Sequence, residues 1–406
     1  MMDADRTQGG PGPRVAVVAY TEYPWDPRVR REAETLASDG YAVHVIALRP
    51  RSGPSPSHLG GVHLHEVPLG SRRGGRLRYA YQYGLFLVLS TVLLVRLHLR
   101  RRFELVHVHS LPDFQVLCAL PLKVSRVPVI LDLHEAMPEI IAARFRTSTQ
   151  ALLPRIAAFL EGCSVRFADH VIAANDGIRS AVVGRGLPAG RITAVYNASD
   201  FPPGGVDPVG LRQRLGLPDG RLLVHAGGIN PERDLETLLR AMAQLPADAD
   251  ACLVIAGDGE SAYTGALKTL AATLGIGDRV RFVGRLPIEE ARALMTLSEI
   301  GLITLEANPL TELAWPSRIP EFAALGKPLI VPRLSFLQSV LENGAQYYAP
   351  GDAGSLAREI GGALTEPEKT ARAAEKAGEI CRRFEWRQMR RVLLGVYHAL
   401  GASNAG

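Results

Sequence analysis

The strongest constraint in this chain is a pattern that runs twice. Short apolar runs of strand length alternate with helix-like segments, and one Pro/Gly-rich stretch separates the two series. The first series is RVAVVAY (14–20), AVHVIAL (42–48), LVHVH (105–109), PVILDLH (128–134), HVIAA (170–174) and RITAVY (191–196). The second is LLVHA (222–226), CLVIAG (252–257), VRFVG (280–284), GLITL (301–305) and PLIV (328–331). Nearly continuous apolar strands between helices predict parallel sheets covered on both faces. The expected fold is α/β, with two Rossmann-like domains facing across a cleft. Their expected bounds are 14–198 and 211–384, with residues 1–13 disordered and 199–210 as linker. The amphipathic segment RFEWRQMRRVLLGVYHAL (383–400) carries apolar residues at helical spacing, and 385–406 is expected to return to the first domain.

Composition narrows the class. Hydrophobic residues make up 47% and charged residues 21%, a globular mixture able to fill two cores. Cys118, Cys163, Cys252 and Cys381 lie far apart with no metal-ligand spacing, so they read as reduced core thiols of a cytoplasmic protein. The G-x-G-x-x-G fingerprint is absent after the first strand, which disfavours a nicotinamide enzyme.

Open parallel sheets bind ligands beyond the carboxyl ends of their strands, so the residues there are the candidates. Asp26 and Arg28 follow the first strand and are placed near substrate, with Arg30 and Arg31 read as solvated. His107 and His109 share one strand face, a start for a metal site that lacks a third ligand at convincing spacing, so no metal is expected. His134 and Glu135 end the D-L-H-E run, where a histidine can orient groups or exchange protons. In the second half, Gly227 and Gly228 follow a strand and Arg233 precedes a helix. Close backbone approach and a guanidinium suit a diphosphate. Gly257, Arg285 and Leu286 lie in the next two such loops, where a nucleotide base would be framed. Glu321 sits in the first turn of a helix after Pro320, with Ser317 and Arg318 just ahead of it. Its two acceptor oxygens suit a vicinal diol such as ribose.

Residues 79–99, YAYQYGLFLVLSTVLLVRLHL, are nearly long and apolar enough to span a bilayer. Gln82, Arg96 and His98 interrupt them, arginines flank them, and they fall between two strands of one sheet. A core crossover helix is the favoured reading. An in-plane membrane helix with basic anchors is the alternative, giving a peripheral membrane contact through 79–102.

The motifs YPWDPRVRREAETLASDGY, FELVHVHSLPD, PVILDLHEAMPE, AGGINPERDLETLLRAM, VRFVGRLP and PSRIPEFAALGKPLIV, in this order over about 14–400, resemble the retaining family-4 glycosyltransferases of the GT-B fold. The resemblance implies metal-independent transfer of a sugar, with retained anomeric configuration, from a nucleoside-diphosphate donor held by the second domain. The acceptor would be a carbohydrate, lipid-linked or small molecule. No cofactor and no nucleic-acid partner are expected, and the place is the cytoplasm or the inner face of the plasma membrane.

By the same resemblance Glu321 grips the ribose, Arg233 the diphosphate, and Arg285 and Leu286 lie along the base. His134 stands near the transferred sugar, and His109 on the acceptor side. Two positions depart from the family. Leu313 stands where a first glutamate is usual, with Glu312 one residue off register, and Gly228 stands where an arginine is usual. Arg318 is the candidate to supply the missing charge. The rival readings are a sugar-nucleotide epimerase of the same architecture and a non-catalytic nucleotide-sugar-binding protein.

Overall fold

A computed structural model describes residues 12–50, 53, 56–70, 76–198, 205–246 and 249–403. Residues 1–11 of the expected disordered segment and 199–204, half of the expected linker, therefore lie outside the described residues, and a helix already begins at Pro208. The chain divides into two compact units, Met1–Asn197 with Met389–Gly406, and Ala198–Gln388.

In the first unit eight strands form one sheet: β1 (Arg14–Ala19), β2 (Ala42–Leu48), β3 (His58–Leu59), β4 (Val62–Val67), β5 (Leu105–His109), β6 (Val129–Leu133), β7 (His170–Ala173) and β8 (Ile192–Ala194). Their order is β3-β4-β2-β1-β5-β6-β7-β8, and every pair except β3–β4 is parallel. The β3–β4 hairpin was not expected. VHLHEV carries three polar residues in six and does not read as a buried strand.

Helix α1 (Pro27–Ser38) connects β1 to β2. Proline stands at its first position, and Asp26 accepts hydrogen bonds from the Arg28 and Val29 amides, 3.1 Å each. Helix α2 (Arg76–Arg101) connects β4 to β5, so 79–99 is a crossover helix. Its inner face is Gln82, Phe86, Ser90 and Leu94, four residues at i,i+4 spacing, all buried. The other faces differ from the expected core helix: only 28% of its most apolar window is buried.

In the second unit the sheet runs β11-β10-β9-β12-β13-β14, from β9 (Arg221–Ala226), β10 (Ala251–Ala256), β11 (Val280–Gly284), β12 (Ser298–Leu302), β13 (Leu329–Pro332) and β14 (Ala345–Tyr348), all parallel. Leu223, Leu253, Ile255 and Ile300 pack with the helix Leu235–Gln244 into its core.

The last helix, Trp386–Ser403, starts in the second unit and from Met389 belongs to the first. There the Met389 sulfur accepts from the Tyr196 amide at 3.2 Å, and the Tyr397 hydroxyl lies 2.7 Å from His107 Nδ1. Three cysteines are buried as expected; Cys163 is exposed.

Candidate functional site

The second unit's site begins where β9 ends. Gly227 donates its amide to Ala256 O at 2.9 Å, Ile229 to Asp258 O at 2.8 Å, and Gly257 to Gly284 O at 2.9 Å. Three loops, each following a strand, are thus strapped side by side by their backbones. Glycine is required at 257: a Cβ there would lie 1.7 Å from Gly227 O. Gly257→Ala is expected to destabilise this unit by about 1–3 kcal/mol through overpacking. A melting curve on the variant checks this, and an unchanged midpoint would show that the loops are free to separate.

The strapping corrects one expectation. Gly227's amide is committed to Ala256, so the loop offers fewer backbone donors to a diphosphate than the glycines suggested. Positive charge comes from two side chains instead. Arg233 ends a short 3-10 turn and is followed by Asp234 in the left-handed region (φ 46°), which caps the next helix. The Thr304 hydroxyl donates to the Arg233 carbonyl and fixes that turn against the strand β12 end. Arg318 reaches back to donate from Nε to Ala226 O at 3.0 Å, and its NH1 pairs with Glu321.

Two adjoining cavities share these groups. One of about 130 Å³ is lined by His225, Arg233, Thr304, Ser317 and Arg318. The other, of about 680 Å³, is lined by Gly228, Gly257, Arg285, Leu286 and Arg318. Eight of the expected donor residues, Gly227 among them, therefore line these adjoining cavities, and Glu321 is tied to them through Arg318. Arg318 and Gly228 line the same cavity. A side chain at 228 would itself meet only Asn230 Nδ2, at 3.5 Å. Glu312 is occupied elsewhere: its Oε2 accepts from the Ser335 amide at 2.9 Å and caps another helix. His225 was missed by sequence reading, hidden as one polar letter in LLVHA. Burial first, then Arg233 and Arg318, lower it to about 4, so it is a neutral imidazole in the cavity wall.

The first unit carries a second polar centre. Arg28 is 5% exposed. Its Nε and NH2 grip both oxygens of Asp132 at 2.8 Å, and NH1 donates to Val195 O at 2.8 Å and Asn197 Oδ1 at 3.1 Å. Arg28, placed near substrate by the sequence, is instead buried and holds Asp132. Asp26 is half-buried and engaged in capping α1. His109 is also buried. Its Nδ1 lies 3.0 Å from Asp132 Oδ2 and 3.0 Å from His134 Nε2. His134 is half-buried and Glu135 exposed. Asp132 and His109 stand behind His134 and set its ring.

Burial would raise Asp132, but Arg28 and the two histidines more than offset it and hold the carboxyl well below the usual range. Burial lowers His107 and His109, leaving both neutral. Glu32 is the opposite case. Neither of its oxygens has a hydrogen-bond partner, and burial pushes it up to about 8 despite Arg28 at 3.2 Å.

Glu32, His107, His109 and Asp132 bring ligand-type atoms within 4.8 Å of one another, so the third and fourth ligands missing from the sequence reading exist in space. The chemistry of the set argues for a proton and not a cation. Arg28 already supplies the positive charge beside both carboxylates, and a neutral Glu32 leaves the cluster without net charge. A pH effect follows. Glu32 holds its proton in the folded state up to about 8 and releases it near 4.5 when unfolded. Its contribution to stability is full below 4.5 and is lost as pH rises through about 8. The melting temperature should fall as pH rises from about 4.5 to about 8, and Glu32→Gln should flatten that fall. Parallel slopes in the two proteins would overturn the assignment.

Residues 26–198 match the family described as glycosyl transferase 4-like domain, and 211–379 match glycosyl transferases group 1. Alpha-D-kanosaminyltransferase of Streptomyces kanamyceticus is 25% identical across 92% of this chain and 99% of its own. D-inositol 3-phosphate glycosyltransferase 2 of Catenulispora acidiphila is 30% identical over a shorter stretch, 57% of this chain and 56% of its own. Sucrose-phosphate synthase of Thermosynechococcus elongatus shares the fold with a TM-score of 0.76 at 19% identity, covering 96% of this chain and all of that one. So does Anabaena HepE in complex with UDP-glucose, TM-score 0.69 at 18% identity, covering 95% and 99%.

Proposed function

This chain belongs to the glycosyltransferases that join a 4-like N-terminal domain to a group 1 C-terminal domain, so it moves a sugar from a nucleotide-sugar donor to an acceptor, and we propose that the cavities at the end of β9 hold the donor. One observation carries the reading: Arg233 and Arg318 both line the region beside Gly227, with Glu321 at its edge. As the C1–O bond to the diphosphate breaks, negative charge grows on the phosphate oxygens. Fixed guanidinium groups stabilise that charge without reorganising. Glu321, paired with Arg318, takes the ribose hydroxyls, and Arg285 and Leu286 border the larger cavity for the base.

Transfer retains configuration. The acceptor hydroxyl attacks from the face the diphosphate leaves, and the departing phosphate oxygen takes its proton. Since two arginines supply the positive charge, the reaction runs without a divalent cation. His134, held by His109 and Asp132, serves the acceptor side. The acceptor is a carbohydrate, a lipid-linked sugar or a small molecule. The enzyme works in the cytoplasm at the inner face of the plasma membrane, with α2 as its peripheral contact. Family membership favours transfer over the epimerase and non-catalytic readings.

A thermal-shift screen against UDP-, GDP-, dTDP- and ADP-sugars, with Mg²⁺ or EDTA, tests the donor site. A ligand at a hundredfold its Kd adds about 2.7 kcal/mol to the native state. One nucleotide class should raise Tm by several degrees, equally in EDTA. A shift seen only with Mg²⁺ would overturn metal independence, and no shift with any class would overturn the donor site.

A further inference from the structure

Helix α2 is not alone in showing apolar side chains to solvent. Val92 on α2 is 62% exposed, and on the helix Leu152–Phe167 Leu152 is 73% and Phe159 69% exposed. Leu152, Ile156 and Phe159 fall at i, i+4 and i+7, a stripe along one helix face. An amphipathic helix on a protein surface normally turns its polar face outward; here the outward face is apolar.

Topology places these elements on one side of the sheet. α1 leads from β1 to β2, toward the β3 edge. α2, the segment 113–124 and the helices Met137–Arg144 and Leu152–Phe167 all lead the other way, toward β8. Right-handed crossovers put them together on the face opposite α1, and α2 and Leu152–Phe167 both pack against 113–119. Between Phe114, Ile141, Phe145, Leu153 and Leu160 lies a groove of about 340 Å³.

Charge identifies the partner. Within 76–101, 113–124, 137–144 and 152–167 the carboxylates are Asp113, Glu139 and Glu161, all buried, and Glu139 and Glu161 pair with Arg185 at 2.7 and 2.6 Å. Arg96, Arg100, Arg144 and Arg155 are exposed in the same segments. A contiguous apolar face ringed by arginines, with no exposed acid, fits the headgroup–acyl boundary of an anionic bilayer. A protein partner of ordinary surface would be met with both signs of charge.

We propose that this whole helical layer, and not α2 alone, is a docking face for anionic membranes, and that the groove beside Phe145 receives a hydrocarbon chain from the bilayer. This goes beyond the α2 contact proposed above and holds or fails independently of the transfer reaction.

The test is flotation of the full chain with phosphatidylcholine vesicles, with and without phosphatidylglycerol. Binding should be about tenfold or more stronger with phosphatidylglycerol and should weaken in salt. Ile156→Glu with Phe159→Glu should abolish flotation as fully as Val88→Glu with Val92→Glu. Arg144→Glu with Arg155→Glu, which leaves the apolar residues in place, should weaken it as well. All variants should keep the nucleotide-induced thermal shift, which reports the other unit.

Ile141→Trp should be quenched by vesicles with brominated acyl chains, beyond any quenching of the parent. No flotation of the parent with either vesicle would overturn the proposal. So would loss in the α2 pair only, or a dimer that the Ile156/Phe159 variant dissolves while vesicles are ignored. Absence of quenching at Ile141→Trp would overturn the hydrocarbon groove.

Discussion

Arg233→Ala is expected to lower kcat by about 10²–10³-fold, the loss typical when one fixed donor to a developing oxyanion is removed. The residue's position is over-determined, so neighbours cannot drift in to replace it. Its carbonyl accepts from Thr304, and Asp234 behind it caps the next helix. Arg318 remains and should leave residual activity, so the Arg233→Ala, Arg318→Ala double variant should lose more than either single one. Steady-state kinetics on the nucleotide sugar that shifts Tm decide the matter. A raised KM with unchanged kcat would mean that Arg233 binds ground and transition states alike, and the assigned role would then be wrong.

Arg28→Ala should be the most destabilising single change in the first unit. It leaves Asp132 ionised, buried and stripped of its two 2.8 Å partners. Breaking a buried pair in this way costs about 3–5 kcal/mol, which for a unit of this size corresponds to a fall in Tm of order 10 °C. Lysine should not rescue it, because one ammonium cannot grip both carboxylate oxygens and also reach Val195 O and Asn197. Calorimetry resolves the two units' transitions. A loss under about 3 °C would mean that Asp132 simply takes up a proton at little cost.

Much of the fold was legible because buried parallel strands are written as unbroken apolar runs. The strands that escaped are the polar ones: β3 and β4 carry histidines, and β14 is AQYY at a sheet edge. The lining of the two cavities at the end of β9 was legible for a related reason. Gly227, Arg233, Gly257, Arg285, Arg318 and Glu321 sit at strand ends or helix starts, where sequence position implies spatial position. The centre behind His134 was not, because it joins residues from separate elements. Arg28 and Glu32 read as the polar face of α1, yet both are buried. Asp132 reads as one interruption in VILDL, and Tyr397 as one aromatic in a distant helix. A charge inside a strand otherwise wholly apolar was the available signal, since it demands an opposite charge nearby.

The first unit is discontinuous: its residues run to Asn197 and resume at Met389. During synthesis about 190 residues of the second unit leave the ribosome before the segment that completes the first. Until then His107 lacks the Tyr397 hydroxyl, and Tyr196 lacks the Met389 sulfur. The nascent chain therefore waits with an unfinished core, and the second unit is the first that can close. The first unit can be completed only after every residue of the second has been made, so chaperone demand should fall on the N-terminal half.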